Sequence, residues 1–85
     1  MSTDSTEYPQ HLRSAWADAS AKKSAAIWLC VDARRRMAGE PPGPNLDRLQ
    51  AELDRLTVEK DAAIKSCMDA RTALDAAEAV FYGGA

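Results

Sequence analysis

Aromatic side chains are scarce in this chain of 85 residues, which has one Phe, two Trp and two Tyr. Alanine and leucine must therefore supply most of any core, and alanine buries little apolar area. At roughly 25 cal/mol per Å² of apolar surface, so thin a core barely offsets the conformational entropy of a short chain. The composition therefore predicts that the chain completes its fold by self-association or by binding a partner.

The side chains that carry most enzyme chemistry are also few. His11 is the one histidine in the sequence, and there is no glycine-rich phosphate loop. Cys30 and Cys67 are too few for a disulfide framework and have no histidine beside them, so we expect small buried thiols. The Asp and Glu residues are expected at solvated helix positions. We therefore predict a protein that is not an enzyme, with no catalytic residues, no metal, no cofactor and no small-molecule substrate.

Long hydrophobic segments and a strong excess of either charge are missing as well. The longest apolar run, Ala25 to Val31, is much shorter than the roughly 18 residues of a membrane span. The polar N-terminal residues lack the basic and then apolar pattern of a secretory signal. A formal net charge of −2 gives no overall attraction to nucleic acid or to an anionic membrane. We therefore expect a cytoplasmic protein that does not contact membranes.

Glycine and proline are absent from two long stretches and concentrated between them, in the sequence Gly-Glu-Pro-Pro-Gly-Pro. Gly39 is expected to end the first helix in a left-handed conformation, and the prolines cannot continue that helix. A short connector between two long helices predicts that they are antiparallel neighbours. The predicted segments are a flexible N-terminal arm at 1–8, a helix at 9–38, a turn at 39–44, a helix at 45–82 and a C-terminal stub at 83–85.

The two predicted helices share a repeated sequence with an offset of 37 residues. Residues 23–34 read KSAAIWLCVDAR and residues 60–71 read KDAAIKSCMDAR, and eight of the twelve positions are identical. Fixed-offset similarity of this kind indicates that one structural unit is used twice.

The apolar residues of both helices recur at heptad spacing, which predicts a coiled-coil seam. With antiparallel helices, positions a and d face each other, so that Cys30 opposes Leu56 and Ala33 opposes Leu53, about a pivot at Gly43. The chain is therefore predicted to be an all-α antiparallel coiled-coil hairpin, completed by oligomerisation, most simply as a four-helix bundle dimer. The seam positions in the first helix are Leu12, Trp16, Ala19, Lys23, Ala26, Cys30, Ala33 and Met37, and in the second helix they are Leu46, Leu49, Leu53, Leu56, Lys60, Ala63, Cys67, Ala70, Leu74, Ala77 and Phe81.

Two lysines, Lys23 and Lys60, occupy a positions near the middle of this seam. One interpretation is that each aliphatic stem covers an alanine while the ammonium reaches Glu59, Asp61 or solvent. The other is that the lysines fix the register or the oligomeric state, as polar a residues do.

Arg34, Arg35 and Arg36 form the only basic cluster in the sequence. They can contact phosphates or an acidic partner, or they can complement the negative C-terminal pole of the helix and pair with Asp32.

The apolar residues that lie outside the seam provide the main indication of function. Ile27, Trp28, Leu29 and Val31 make the first helix apolar on nearly all sides, whereas Lys65 and Ser66 replace Trp28 and Leu29 in the second copy of the repeat. An exposed patch of this kind marks a protein interface. A second patch, at residues 80–82, is expected to pack on Tyr8 and Pro9 instead.

The sequence therefore predicts a protein-interaction module, an assembly, adaptor or inhibitor component, whose partner is another protein, a second copy of itself, or both. Two alternatives stay open. One is a small hairpin-dimer regulator that binds nucleic acid through Arg34, Arg35 and Arg36, although the acidic pI makes nucleic acid the less favoured partner. The other is a structural accessory protein of a larger assembly, such as a phage particle.

Overall fold

The structure, a computed structural model, describes residues 7–83. In this part of the chain, α1 spans Gln10–Ala38 and α2 spans Pro44–Gly83. The two helices pack side by side and form an elongated molecule of 67 × 17 × 13 Å. The predicted all-α helical hairpin is therefore observed. Most of the predicted arm and the last two residues of the predicted stub lie outside the described residues.

The start of α1 is fixed by Pro9, which precedes the helix. Its carbonyl accepts hydrogen bonds from the amides of Leu12 at 3.1 Å and Arg13 at 3.2 Å. Because proline has no N–H, it leaves one fewer donor to satisfy at this helix end. The 28 residues that follow Gln10 contain neither glycine nor proline, which allows the helix to continue to Ala38.

The turn between the helices differs from the prediction at Gly39. This residue has φ −96° and ψ 0°, in the right-handed region, so the expected left-handed cap is wrong. The amide of Glu40 donates to the carbonyl of Met37 at 3.1 Å and closes the helix end without any left-handed residue. The positive φ falls instead on Gly43, at 155°, whose carbonyl accepts the amide of Asp47 at 3.1 Å and opens α2.

The seam positions form the interior of the hairpin. Every one of them is buried or half-buried, and five are fully buried. Near the turn, Cys30, Ala33 and Leu56 form one apolar cluster with Leu53 packed against it, which places together the residues that the antiparallel register pairs. The five fully buried residues are Cys30, Ala33, Leu56, Cys67 and Leu74.

The cysteines and lysines of the seam pack in the hairpin without placing a charge in its interior. Both cysteines are free and buried, as predicted. The side chain of Lys60 keeps 23% of its surface exposed, and its Nζ lies 3.8 Å from Oδ1 of Asp61. This geometry agrees with a stem that covers the seam and an ammonium that reaches a neighbouring carboxylate. A role for the two lysines in fixing the register stays a hypothesis.

The open end of the hairpin is closed by aromatic side chains. The ring of Tyr8 meets that of Phe81 edge-on, with centroids 5.4 Å apart, and lies 6.4 Å from that of Tyr82. The predicted packing of residues 80–82 on Tyr8 is therefore observed for Phe81 and Tyr82, whereas Val80 is exposed. Tyr8, placed at the end of a flexible arm by the sequence, is instead held against α2.

The hairpin has a large surface for its mass. It exposes 6133 Å², compared with roughly 4,900 Å² for a compact monomer of 9.2 kDa. Neither helix of the described chain has an apolar stretch long enough to cross a membrane.

Candidate protein-interaction surface

The two most exposed residues of the predicted patch are Trp28 and Leu29, in the second half of α1. They keep 64% and 52% of their surface exposed, whereas Ile27 keeps 38% and Val31 is half-buried. Large apolar side chains are rarely left this accessible next to each other without a reason. The exposure expected from the sequence is therefore observed for Trp28 and Leu29.

The four residues of the patch do not form one flat surface. Successive residues of a helix turn by about 100°, so Ile27 and Val31, four residues apart, lie on the same side of α1. Leu29 lies on the other side of the hairpin, and Trp28 points away from α2 between them. We refer to Trp28 and Leu29 as the outer ridge. Ile27 and Val31 lie outside this ridge.

The outer ridge has small and charged neighbours. One turn before Trp28 lie Ser24 and Ala25, whose short side chains leave the indole ring accessible. One turn after it lies Asp32, which forms an ion pair with Arg36 at 2.7 Å. A large aromatic residue surrounded by a solvated polar rim is the usual arrangement of a binding hot spot.

The arginine cluster is only partly engaged within the hairpin. Arg36 pairs with Asp32, as the sequence suggested, while Arg34 and Arg35 are exposed. Both members of the pair keep more than half of their side-chain surface in solvent, so the pair contributes only a few tenths of a kcal/mol. Arg35 and Arg36 lie in the last turn of α1, where cations complement the helix pole.

A groove of about 380 Å³ on one side of the hairpin was not identified from the sequence. Trp16 and Lys23 line it from α1, and Ile64, Met68 and Arg71 line it from α2. The guanidinium of Arg71 lies 5.0 Å from the centre of the Trp16 ring, a cation–π contact, and its Nε is 3.0 Å from Asp75. Met68 keeps 64% of its surface exposed.

One signal in the sequence pointed to this groove. The repeat matches Ile64 with Ile27 and Met68 with Val31, and none of these four residues belongs to the seam. The sequence interpretation concentrated on α1, where Trp28 and Leu29 are the positions that diverge between the repeats. It therefore overlooked the apolar positions that both repeats retain.

The described residues also lack a group of side chains that could bind a metal ion. Within residues 7–83, no three His, Cys, Asp or Glu residues are close enough to hold a metal ion together. His11 is exposed at the first turn of α1, at the opposite end of that helix from the arginine cluster.

Comparison of the chain with protein-family models, with curated proteins and with solved structures gives no match.

Proposed function

We propose that this protein is a non-enzymatic interaction module, an assembly, adaptor or inhibitor component, that binds another protein through the outer apolar face of α1. The observation that supports this proposal most strongly is the exposure of Trp28, of which 64% is accessible. The hairpin seam is complete without this residue. Its indole therefore contributes little to folding and is free to fill a pocket of a partner.

The size of the outer ridge sets the free energy that its burial can contribute to binding. Burying a large apolar side chain gives roughly 1.5–3 kcal/mol, and tryptophan is among the residues most enriched at binding hot spots. Trp28 projects from a helix, so its position is fixed before the partner arrives and little ordering entropy is lost on binding. A rigid helix that presents an aromatic anchor fits a groove on the partner protein.

We further propose that the hairpin self-associates, in a cytoplasmic setting. The thin core of five buried residues supports this, since a hairpin of this size gains little from its own packing. The same surfaces are compatible with a third interpretation, a structural accessory protein of a larger assembly. It differs from the interaction module in the number of copies that would bind to the assembly.

A role in nucleic-acid binding has weaker support. Asp32 already partly neutralises the arginine cluster through Arg36, and a net charge of −2 opposes approach to a polyanion. If nucleic acid were the true partner, the protein would bind it with steep salt dependence, and replacing Arg34, Arg35 and Arg36 by Gln would abolish that binding.

The substitution Trp28→Glu tests the proposed function. It places a charge at the centre of the outer ridge, and we expect binding of the protein partner to weaken at least about tenfold, because the anchor is lost and a charge must be desolvated. Partners retained on the immobilised wild-type protein from cells of its source are quantified by mass spectrometry, and the affinity of each is then measured by titration.

The control for this experiment is Val58→Glu, which puts the same charge at an exposed apolar position of α2, with 70% of Val58 accessible. Circular dichroism checks that both variants keep their helices. Partner binding should survive Val58→Glu. If Trp28→Glu retains the same partners with unchanged affinity, the outer ridge is not the binding surface.

A further inference from the structure

The charged residues on the groove side of α1 are all cations. Three turns of a helix take about 11 residues, so Arg13, Lys23 and Arg34, ten and eleven residues apart, lie along one side of α1. Lys23 lines the groove described above, which identifies that side. The two acidic residues of α1 lie elsewhere. Asp18 lines a second groove that shares no residue with the first, and Asp32, fourteen residues further on, points within about 40° of the same direction.

Two of these three cations have no acidic partner within the hairpin. In the part of the chain that the structure describes, neither Lys23 nor Arg34 forms an ion pair. Arg34 is exposed, Lys23 is half-buried, and the eleven residues between them correspond to roughly 16 Å along the helix. Arg13, in contrast, donates to the hydroxyl of Tyr8, which also bonds to Glu78. Lys23 and Arg34 are therefore the cations that remain available to an acidic ligand.

The α2 edge of the groove carries acidic residues instead, and Met68 interrupts them. Asp54, Asp61, Met68 and Asp75 recur every seven residues, which is nearly two full turns, and so lie along one line of the helix. Met68 lines the groove and keeps 64% of its surface exposed. Each aspartate is already engaged by a side chain of α2. The partners of Asp54, Asp61 and Asp75 are Gln50 at 2.8 Å, Lys60 at 3.8 Å and Arg71 at 3.0 Å.

The floor between these two edges is apolar. Ile64 is half-buried beside Met68, and from Lys23 the floor continues towards the turn through Ile27, which is 38% exposed, and the half-buried Val31. In the antiparallel register, Val31 and Met68 are separated by about 13 residues along the axis, or roughly 20 Å. One helix of about that length would cover the floor. Its contact would be smaller than the roughly 800 Å² per partner of a standard interface, so we expect micromolar affinity.

We propose that this groove binds an acidic amphipathic helix of another protein. The apolar residues of that helix pack on Ile27, Ile64 and Met68, and its carboxylates reach Lys23 and Arg34. The aspartates of α2 repel an acidic side chain, so the acidic flank of the bound helix faces α1. A flexible methionine on the floor adapts to different apolar side chains, and a helix lying in a groove is a common mode of peptide recognition. The proposal adds a second surface to the outer ridge and does not depend on it.

A nucleic acid would fit the same groove less well than an acidic helix. A phosphate backbone is negative on all sides, and it would meet the aspartates of the α2 edge as well as the cations of α1. Single strands also bind by stacking bases on aromatic rings. The guanidinium of Arg71 already covers the ring of Trp16, at 5.0 Å from its centre, which leaves that face of the ring unavailable to a base.

The probe for this proposal is a synthetic helical peptide of about 18 residues, or about 27 Å, with a stripe of Leu flanked by Glu. Titration of the full-length protein into the labelled peptide gives the dissociation constant from fluorescence anisotropy. We expect roughly 10–100 μM at low salt, and several-fold weaker binding at about 0.5 M salt. Two control peptides, one with Lys for every Glu and one with Gln for every Leu, should not bind in this range.

Charge reversal at the groove tests where the peptide binds. Lys23→Glu should weaken binding at least about fivefold, because it places a negative charge against the acidic flank. Lys65→Glu makes the same change on α2 away from the groove, at a side chain that is 78% exposed, and should stay within about twofold of the wild type. If circular dichroism shows that Lys23→Glu loses helicity, the exposed Arg34→Glu provides the same test. Met68→Gln, which changes no charge, should weaken binding through the loss of apolar contact.

Other outcomes would overturn the proposal. They are no binding of the acidic peptide up to about 500 μM, equal binding of the Lys peptide, or equal effects of Lys23→Glu and Lys65→Glu. A single-stranded oligonucleotide or phosphatidylserine vesicles that bind more tightly than the peptide, and lose binding in Lys23→Glu, would assign the groove to that ligand instead. Trp28→Ala removes the anchor of the outer ridge without adding charge and should leave peptide binding within about twofold. Failure of this proposal would therefore leave the outer ridge to be judged by its own test.

Discussion

At the scale of single residues, the two tryptophans show how position decides the role of a side chain. Trp16 occupies a seam position, is half-buried, and is covered by the guanidinium of Arg71. Trp28 lies twelve residues further along the same helix, opposite the seam, and is exposed. Twelve residues turn a helix by about 1,200°, which is a third of a turn beyond three full turns. The same residue type is therefore part of the core in one place and a candidate anchor in the other.

Tyr8 makes hydrogen bonds from which we expect a dependence of stability on pH. Its hydroxyl donates a hydrogen bond to the carboxylate of Glu78 and accepts one from Nη1 of Arg13 at 3.1 Å. The bond to Glu78 raises the pKa of the Tyr8 phenol above 10.0, because ionisation would set two negative charges against each other, and Arg13 offsets only part of this effect. The folded state therefore holds the phenolic proton more tightly than the unfolded state does.

The expected consequence is a loss of stability at alkaline pH that depends on Tyr8. The contribution is fully present below the unfolded pKa near 10 and is lost as pH rises through the higher folded pKa. Urea unfolding of the wild type and of Tyr8→Phe, from pH 7 to 11, measures it. We expect the wild type to be the more stable protein up to about pH 9.5 and its advantage to shrink above pH 10. An advantage that stays constant to pH 11 would contradict this account of the hydrogen bond.

At the scale of helices and turns, the sequence predicted most of what is observed. Both helices begin and end within one residue of the expected positions, because glycine and proline occur only at their ends. Heptad spacing identified the buried side of each helix. Cys30 and Leu74, for example, each belong to a series of apolar residues spaced three and four apart, and such a series lies along one side of a helix. The conformation of the turn was predicted less well. Gly39 and Gly43 lie four residues apart in the same proline-rich turn, and the sequence alone does not determine which of them takes the positive φ.

The two turn glycines provide a matched pair of substitutions. Gly43 has φ 155°, a conformation that L residues rarely adopt, so Gly43→Ala should destabilise the hairpin by about 1–2 kcal/mol. Gly39 has φ −96°, and a Cβ there would meet no atom within 4 Å. Gly39→Ala should therefore be neutral or stabilise by up to about 1 kcal/mol, since alanine reduces the entropy of the unfolded chain. Chemical unfolding of both variants measures the difference, and a reversed order would mean that the positive φ lies at Gly39.

At the scale of the whole molecule, prediction of the candidate sites from the sequence was incomplete for a geometric reason. The exposure of Trp28 follows from one helix alone, because it lies opposite the seam. The groove formed by Trp16, Ile64, Met68 and Arg71 is lined by both helices. To predict it, the antiparallel register must be used to place residues outside the seam as well as those within it. Interpreting each helix separately therefore identifies the outer ridge and misses this groove.

The register of the whole hairpin can be tested through its two thiols. Cys30 packs with Leu56, and Cys67 lies eleven residues further along α2, so the cysteines are separated by roughly 16 Å along the axis. Disulfide formation needs Cα atoms within about 7 Å. After mild oxidation of the folded protein, peptide mapping without reduction should show no bond between Cys30 and Cys67 of the same chain. Both buried thiols should react with a thiol reagent only as fast as the hairpin opens.

The same protein oxidised in denaturant, where the distance constraint is absent, should form the bond and serves as the control. An intrachain disulfide formed under native conditions would require the helices to slip by about three turns, and the groove that both helices line would then have to be assigned again.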